Sequence, residues 1–325
     1  MIVKAYWFTG TNNFGDLLTK YWIEKLTGVA VEWAPTGKAS LFGCGSIVDV
    51  IPDGFDGDIL GSGIMYGDSP HVWTLQNATI KAVRGPLTAQ RLGIEGVPYG
   101  DMGVLFALYR KDVEKEYEVG LLAHYIDHEK KGVDSESGIP YHSIDIQSGI
   151  ENVVREAAKC KRIISSSLHG IILADALGIE SKWRECKAVA GNGFKFNDYA
   201  ASLDETITPG VWRLGNQEKA QALAVTLRAI VRKTVKGYTD LEAPAKETRN
   251  GDMMKIKCSN LATRGMTLPG LDNAHVVFSA TGLATVPDQV GRYLTAKYAV
   301  IEEVKQHKPK KEPVDSLVTL PKEGE

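Results

Sequence analysis

Short apolar runs that end at glycine-containing turns recur through the first part of the chain. They are Ile2–Phe8, Leu41-Phe42, Ile59-Leu60 and Ile80–Val83. Helical spacing of apolar residues follows the first and the last of these turns, and Pro86 suits the first turn of the second helix. Alternation of strands and helices favours a parallel sheet with helices on both faces. In such sheets ligands bind beyond the carboxyl ends of the strands, which is where these turns lie.

A second strand-and-helix unit begins near Tyr117. Its predicted elements are a strand at Val119–Leu122, a helix at Ile150–Ala158, a strand at Arg162–Ile164, a helix at Leu168–Leu177 and a helix at Gln217–Val235. Gly178 provides the helix stop after Leu177. We therefore expect an α/β protein with two such domains.

The composition changes after Lys236, where a stretch rich in Pro, Gly and charged residues is typical of a linker. Lys255–Cys258 and Val276–Phe278 are strand candidates further on, and Asp288–Lys297 is a helix candidate. The predicted organisation is an N-terminal domain at 1–115, a second domain at 116–236, a linker at 237–252, a small module at 253–301 and a tail at 302–325.

Bulk charge argues against a nucleic-acid-binding protein, because 38 basic and 40 acidic residues nearly cancel. No run of about 18 apolar residues predicts a membrane span, and no signal peptide is predicted. The four cysteines form no CxxC motif. We expect a cytoplasmic location.

The segment 163–170, Ile-Ile-Ser-Ser-Ser-Leu-His-Gly, carries the strongest chemical signal. A buried strand leads there into three hydroxyls and a histidine at a helix N-terminus, where free N–H groups favour an anion. Ser165, Ser166 and Ser167 would add donors, and His169 could bind phosphate or move a proton. The alternative is a serine cap beside a structural histidine.

Four further candidates lie at predicted turns. Arg84 ends a strand and could clamp an anion, or could be an ordinary surface arginine. Lys195 could meet a carboxylate or phosphate, or could pair with Asp198 at a helix end. Asp101 could be a base or form an Asx turn, and segment 12–16, Asn-Asn-Phe-Gly-Asp, could be simple turn chemistry.

Other site types are not supported. No GxSxG segment predicts a hydrolase elbow, and no glycine-rich nucleotide loop is present. The spacing of His124, His128, His142 and His169 does not match a zinc site, so no metal is predicted.

Taken in order, these segments resemble the polysaccharide pyruvyl transferase family over about residues 1–236. The carrying segments are 12–16, the turn at 61–63, Val83–Thr88, Gly100-Asp101, 165–179 and Lys195–Tyr199. Two departures stand out: Ser167 occupies a place where many members have arginine, and Ala123 one where proline is expected.

The resemblance implies two Rossmann-like domains in a GT-B-like arrangement. It also implies transfer of pyruvate from phosphoenolpyruvate to two hydroxyls of a sugar, forming a cyclic ketal, with no other cofactor. His169 would transfer the proton, and Asp16 or Asp101 would be the base. The implied donor contacts are Arg84, Ser165, Ser166, Ser167, Lys195, Asn13 and Gly15.

Residues 253–301 loosely resemble small proteins of bacteriophage structural-gene clusters. The carrying segments are 254–258, 263–266 and 277–287. This resemblance implies attachment of the transferase-like part to a virion or assembly partner. Two alternatives therefore stay open beside the enzyme: a non-catalytic virion component that kept the fold, and a GT-B glycosyltransferase that uses a nucleotide sugar.

Overall fold

A computed structural model describes residues 2–110, 112–127, 133 and 138–242, together with five short strands between 253 and 303. The chain divides into two compact units, 1–243 and 244–325. The first unit holds two five-stranded sheets, each with helices, so the predicted α/β class is confirmed. The GT-B-like arrangement stays a prediction.

The first sheet is parallel throughout and has the strand order β2-β1-β3-β4-β5. Its strands are β1 (Ile2–Tyr6), β2 (Ala30–Trp33), β3 (Leu41–Phe42), β4 (Asp58–Ser62) and β5 (Thr79–Val83). Four of them, β1, β3, β4 and β5, match the apolar runs that end at glycine turns, and β2 was not predicted. The carboxyl ends of β1 and β5 lead into segments that carry the candidate site residues Asn13, Gly15, Asp16 and Arg84.

The second sheet has the order β10-β9-β8-β6-β7 and is parallel except for its edge strand β10. Its strands are β6 (Tyr117–Leu122), β7 (His142–Ser143), β8 (Cys160–Ser165), β9 (Glu180–Trp183) and β10 (Trp212–Arg213). The two sheets lie on either side of the predicted domain boundary at 115/116 in sequence.

Six α-helices lie in the described part of the chain: α1 (Leu18–Thr27), α2 (Pro86–Leu92), α3 (Ile150–Ala158), α4 (Leu168–Leu177), α5 (Phe194–Ser202) and α6 (Gln217–Glu242). Both α1 and α4 end at a glycine with positive φ, Gly28 at 72° and Gly178 at 70°. The helix predicted to end at Val235 continues to Glu242, so the first six residues of the predicted linker are helical.

Helix α4 is buried along its whole length. It packs against its own sheet through β8 and β9, and also against the 3-10 segment Met102–Tyr109, which follows the first sheet. A helix that is apolar on all sides needs cover on all sides. This double packing brings the start of α4 beside the turns of the first sheet.

In the second unit the described strands are Met253–Cys258, Met266–Thr267, His275–Val276, Leu283–Pro287 and Ile301–Glu303. The first pairs antiparallel with the fourth and the fifth. Of the strand predicted at Val276–Phe278, Val276 lies in the described strand His275–Val276, and the other two residues lie outside the described part of the chain. The predicted helix at Asp288–Lys297 and the tail beyond Glu303 lie outside the described residues.

We also searched the described helices for a membrane-spanning segment. None of them combines the length and the apolar character that crossing a bilayer requires.

Candidate functional site

His169 is the second residue of α4, directly after the turn that leaves β8. Its side chain is only 10% exposed. Ser167 is the N-cap residue and makes no side-chain capping bond. The imidazole therefore lies beyond the carboxyl end of β8, a central strand of the second sheet, as the sequence predicts.

Three side chains from separate segments meet at His169. The Nε2 atom of His169 lies 3.4 Å from Oδ2 of Asp101 and 3.3 Å from Sγ of Cys44. The Cys44 thiol donates to Oδ1 of Asp101 at 3.2 Å, and the backbone N–H of Gly103 donates to the same oxygen at 2.8 Å. Cys44 follows β3, so both halves of the first unit contribute to this cluster.

Asp101 is fully buried and holds its charge in this cluster. Burial raises the pKa of its carboxyl group, but the charge of the adjacent His169 and hydrogen bonds from Gly103 and Cys44 together bring it below the ordinary value. A carboxylate facing Nε2 assigns the ring proton to that nitrogen. The Nδ1 atom is then the one left to exchange a proton with a substrate.

Gly15 lies against the face of the same ring, close to Nδ1. A Cβ atom at Gly15 would stand 2.0 Å from Nδ1 of His169, which no side chain can tolerate. The loop that carries Gly15 is fixed to the second half of the unit, because Phe14 N–H donates to the Ile146 carbonyl at 3.0 Å. Glycine is required here for close approach of backbone and imidazole.

Asp16 is the second carboxylate of the site and is less enclosed than Asp101. The Asn13 side-chain amide donates to Oδ2 of Asp16 at 2.8 Å. Burial raises the pKa of Asp16 above its ordinary value, with Asp101 adding to the rise, while Asn13, His169 and Lys195 act against it.

Lys195, near the start of α5, supplies a buried positive charge to the same region. Burial, and secondarily Arg84, lowers the pKa of Lys195 to about 8, while Asp16 acts in the opposite direction. His124 lies half-buried after β6, and burial, Lys195 and His169 lower its pKa to about 4. Lys195 is consequently charged and His124 neutral at pH 7.

The three serines are mostly engaged within the protein. The Ser165 hydroxyl donates to the Leu122 carbonyl at 2.5 Å, and the Ser166 hydroxyl donates to Oδ2 of Asp127 at 2.6 Å. The Ser166 oxygen also accepts from the His124 backbone N–H at 3.0 Å. Ser165 and Ser166 thus shape the turn, and Ser167 is the member whose hydroxyl caps nothing.

Arg84 is fully buried, so the surface alternative for this residue is wrong. Its guanidinium donates to Oδ2 of Asp198 at 2.8 Å, to Oγ of Ser46 at 2.7 Å and to the Ile64 carbonyl at 2.6 Å. Asp198 pairs with Arg84 across 114 positions of sequence. The geometry favours a role for Arg84 in fastening α5, and therefore Lys195, to the first sheet.

The structure thus gathers His169, Asp101, Asp16, Gly15 and Lys195, and it places Arg84 behind them. Sequence reasoning missed three participants: Cys44, Asp127 and Arg184. Arg184 directly follows β9 and pairs with Asp127, which accepts a hydrogen bond from Ser166. Cys44 stood in a recognised glycine turn, but nothing in the sequence showed that this turn meets Asp101.

Two voids lie near the surface of the first unit. The larger is open and is lined by Asp204, Glu205, Thr206, Arg213 and Leu214, none of them a candidate site residue. The smaller, about 180 Å³, is lined by Ser166 and by residues between the end of β9 and the start of α5, among them Trp183, Cys186 and Phe196. Ser166 is its link to the site, because neither His169 nor Lys195 lines it.

Comparison with known proteins shows similarity to one family. Residues 71–181 match the model of the polysaccharide pyruvyl transferase family. The resemblance to polysaccharide pyruvyl transferases is confirmed. The matched range contains Arg84, Asp101 and the whole segment 163–170, whereas Gly15, Asp16, Cys44 and Lys195 lie outside it.

Two curated relatives cover more of the chain. The succinoglycan biosynthesis protein ExoV of Rhizobium meliloti (strain 1021) is 28% identical over 219 residues, which span 63% of this chain and 66% of that protein. An uncharacterized protein of Acanthamoeba polyphaga mimivirus is 29% identical over 221 residues, spanning 61% of this chain and 73% of its own length.

A solved structure of an uncharacterized protein from Klebsiella pneumoniae subsp. pneumoniae NTUH-K2044 aligns with 62% of this chain and 86% of its own. The identity is 14% and the TM-score 0.39. A similarity this weak supports no conclusion about fold or function.

Proposed function

We propose that this chain transfers pyruvate from phosphoenolpyruvate to two hydroxyl groups of a polysaccharide sugar, forming a cyclic ketal. The observation that carries the proposal is the fixed pair of His169 and Asp101 beside Asp16 and Lys195. The family match and the relative named for succinoglycan biosynthesis support the same class of reaction.

The first chemical step is proton transfer to carbon 3 of phosphoenolpyruvate. We assign it to the Nδ1 atom of protonated His169, because Nε2 faces Asp101. The charge of Asp101 stabilises the imidazolium, and its position fixes the ring orientation. Asp101 is buried behind the ring, so it acts as a positioning residue and not as the base.

Asp16 is the base in this scheme. It takes the proton of the first sugar hydroxyl as that oxygen bonds to carbon 2 of phosphoenolpyruvate. A base of raised pKa is well suited to accept a proton near neutral pH. Phosphate then leaves, and the second hydroxyl bonds to carbon 2 and releases its proton to the departing phosphate. The products are a ketal and inorganic phosphate, and the scheme uses no metal.

Phosphoenolpyruvate carries a phosphate and a carboxylate, which need cationic or N–H partners. The Lys195 ammonium and the free N–H groups at the start of α4 are suited to these two anions. Ser167 at the helix cap can add a hydroxyl. His124 is neutral, so it can donate one hydrogen bond to phosphoenolpyruvate without repelling the Lys195 ammonium.

The proposal is tested by following carbon from ¹³C-labelled phosphoenolpyruvate into saccharide. The full chain is incubated with a panel of oligosaccharides that offer free diols, and phosphate release and ¹³C NMR are recorded. We expect acceptor-dependent phosphate release and a labelled ketal carbon in the saccharide. Phosphate release without labelled saccharide would refute the transfer.

His169→Ala is the informative variant and His71→Ala its control. His71 lies on the surface within the family-matched range but outside the site. We expect the first variant to lose ketal formation by about 100-fold or more, which is the usual contribution of general acid catalysis, and the second to retain it. Equal activity of the two variants would remove His169 from the mechanism.

A further inference from the structure

The Cys44–Asp101–His169 cluster combines a thiol, a carboxylate and an imidazole. We infer that these three side chains form a binding site for a single zinc-type divalent ion. This site goes beyond pyruvyl transfer: the ion would take the place of the Nε2 proton of His169, so the metal-bound chain would lack the imidazolium that the proposed transfer uses. The ligand atoms would be Sγ of Cys44, a carboxylate oxygen of Asp101 and Nε2 of His169.

The three side chains are nearly as close together as ligands on one ion. Sγ of Cys44 lies 3.3 Å from Nε2 of His169 and 3.2 Å from Oδ1 of Asp101, and Nε2 lies 3.4 Å from Oδ2, the other oxygen of Asp101. One ligand atom from each residue lies within 4.8 Å of the other two. Zinc bonds of about 2.0–2.3 Å in tetrahedral geometry separate neighbouring ligands by about 3.3–3.6 Å. Small shifts of side chains would therefore admit the ion without moving the backbone.

A second observation also indicates a missing partner. Oδ2 of Asp101 is fully buried and has no hydrogen-bond partner of good geometry among the described residues, although Nε2 of His169 lies 3.4 Å away. A buried carboxylate oxygen without a partner is costly. A cation bound at this point would satisfy it, and Gly103 N–H would continue to hold the other oxygen.

The donor set selects the class of ion. Thiolate and imidazole favour Zn²⁺ and Co²⁺ over Mg²⁺ and Ca²⁺, which prefer oxygen. Binding displaces the thiol proton of Cys44, so the two positive charges of the ion meet one thiolate and one carboxylate. Three protein ligands leave a fourth position for water, the pattern of open zinc sites.

The test measures metal binding by the full chain with no phosphoenolpyruvate present. The chain is purified with zinc supplied, its zinc content is measured, and the metal is exchanged for Co²⁺ to record the thiolate-to-cobalt absorption band. We expect about one ion per chain and a clear band. The matched variants are Cys44→Ala and Cys186→Ala, since Cys186 is a free, partly exposed cysteine outside the cluster.

Cys44→Ala should remove the absorption band and weaken Co²⁺ binding by about 100-fold or more, because even the loss of an indirect contact costs up to that much. Cys186→Ala should change neither. Thermal unfolding with and without a chelator guards against a misfolded variant: chelation should lower the midpoint of the wild type and leave that of Cys44→Ala unchanged. No bound metal in the wild type, or a band that persists in Cys44→Ala, would overturn the inference.

Discussion

Asp101 lies behind His169, with its Oδ2 atom 3.4 Å from Nε2 and with no exposed surface of its own. A carboxylate in that position can orient the ring but cannot reach a substrate. We predict that Asp101→Asn lowers kcat for pyruvyl transfer by about 100-fold or more and leaves the Kd for phosphoenolpyruvate within about threefold. Kinetics and calorimetry measure the two quantities. A loss confined to binding would contradict a positioning role.

Gly15 offers a second test of the ring position. Gly15→Ala places a methyl group where the His169 ring lies, and we predict a loss of kcat of about 100-fold, as expected for displacement of a catalytic group by about 1 Å. Gly37→Ala is the control, because a Cβ there meets nothing within 4 Å. Both variants should keep the circular dichroism spectrum of the wild type. Full activity of Gly15→Ala would show that the ring does not need this contact.

The buried Arg84–Asp198 pair should be a determinant of stability. We predict that Asp198→Ala lowers the free energy of unfolding by about 3–5 kcal/mol, because it leaves the Arg84 charge buried without its carboxylate. Lys161→Ala breaks the exposed pair with Glu118 and should cost far less, because solvent screens that pair. Denaturant titrations compare the two, and equal losses would refute the distinction.

Lys195 should set an alkaline limit on donor binding. Its pKa of about 8 is below that of an ordinary lysine, so it loses its charge as the pH rises through 8. We predict that phosphoenolpyruvate affinity is constant from pH 7 to 8 and then falls about tenfold per pH unit. Calorimetry across this range measures the effect.

The Lys195 charge should make stability depend on pH in the opposite direction to phosphoenolpyruvate affinity. Because the pKa of Lys195 is lowered, the folded chain binds this proton less tightly than the unfolded chain does. The contribution of Lys195 to the free energy of unfolding therefore rises between pH 8 and the ordinary lysine pKa. Lys195→Met should lack both effects. The exposed Lys187 lines the neighbouring void, and Lys187→Met should retain both. A profile of phosphoenolpyruvate affinity that is flat above pH 8 in the wild type would exclude Lys195 as a donor contact.

Much of the fold follows from local patterns. Glycine stops at Gly28 and Gly178 and the apolar runs before glycine turns gave the correct elements, because such signals involve neighbouring residues. The extension of α6 to Glu242 was missed, since the change in composition after Lys236 was given more weight than the continuing helix.

The site was predictable only where one segment carried the signal. The serine-histidine segment and Asp101 were identified from their own turns. The partners of these residues were not, because Cys44, Asp101 and His169 come from three segments joined only by packing of α4. Proximity in sequence suggested that Lys195 pairs with Asp198. In the structure Arg84, which follows a distant strand, pairs with that carboxylate instead.

Calorimetric titration of the full chain with phosphoenolpyruvate, and separately with a nucleotide sugar, tests the central claim most directly. We predict saturable binding of phosphoenolpyruvate that weakens about 10- to 100-fold in Lys195→Ala, the usual effect of losing a charge-assisted hydrogen bond, and no saturable binding of the nucleotide sugar. Binding of the nucleotide sugar but not of phosphoenolpyruvate would contradict the account and indicate a glycosyltransferase. Binding of neither would favour a non-catalytic component that kept the fold.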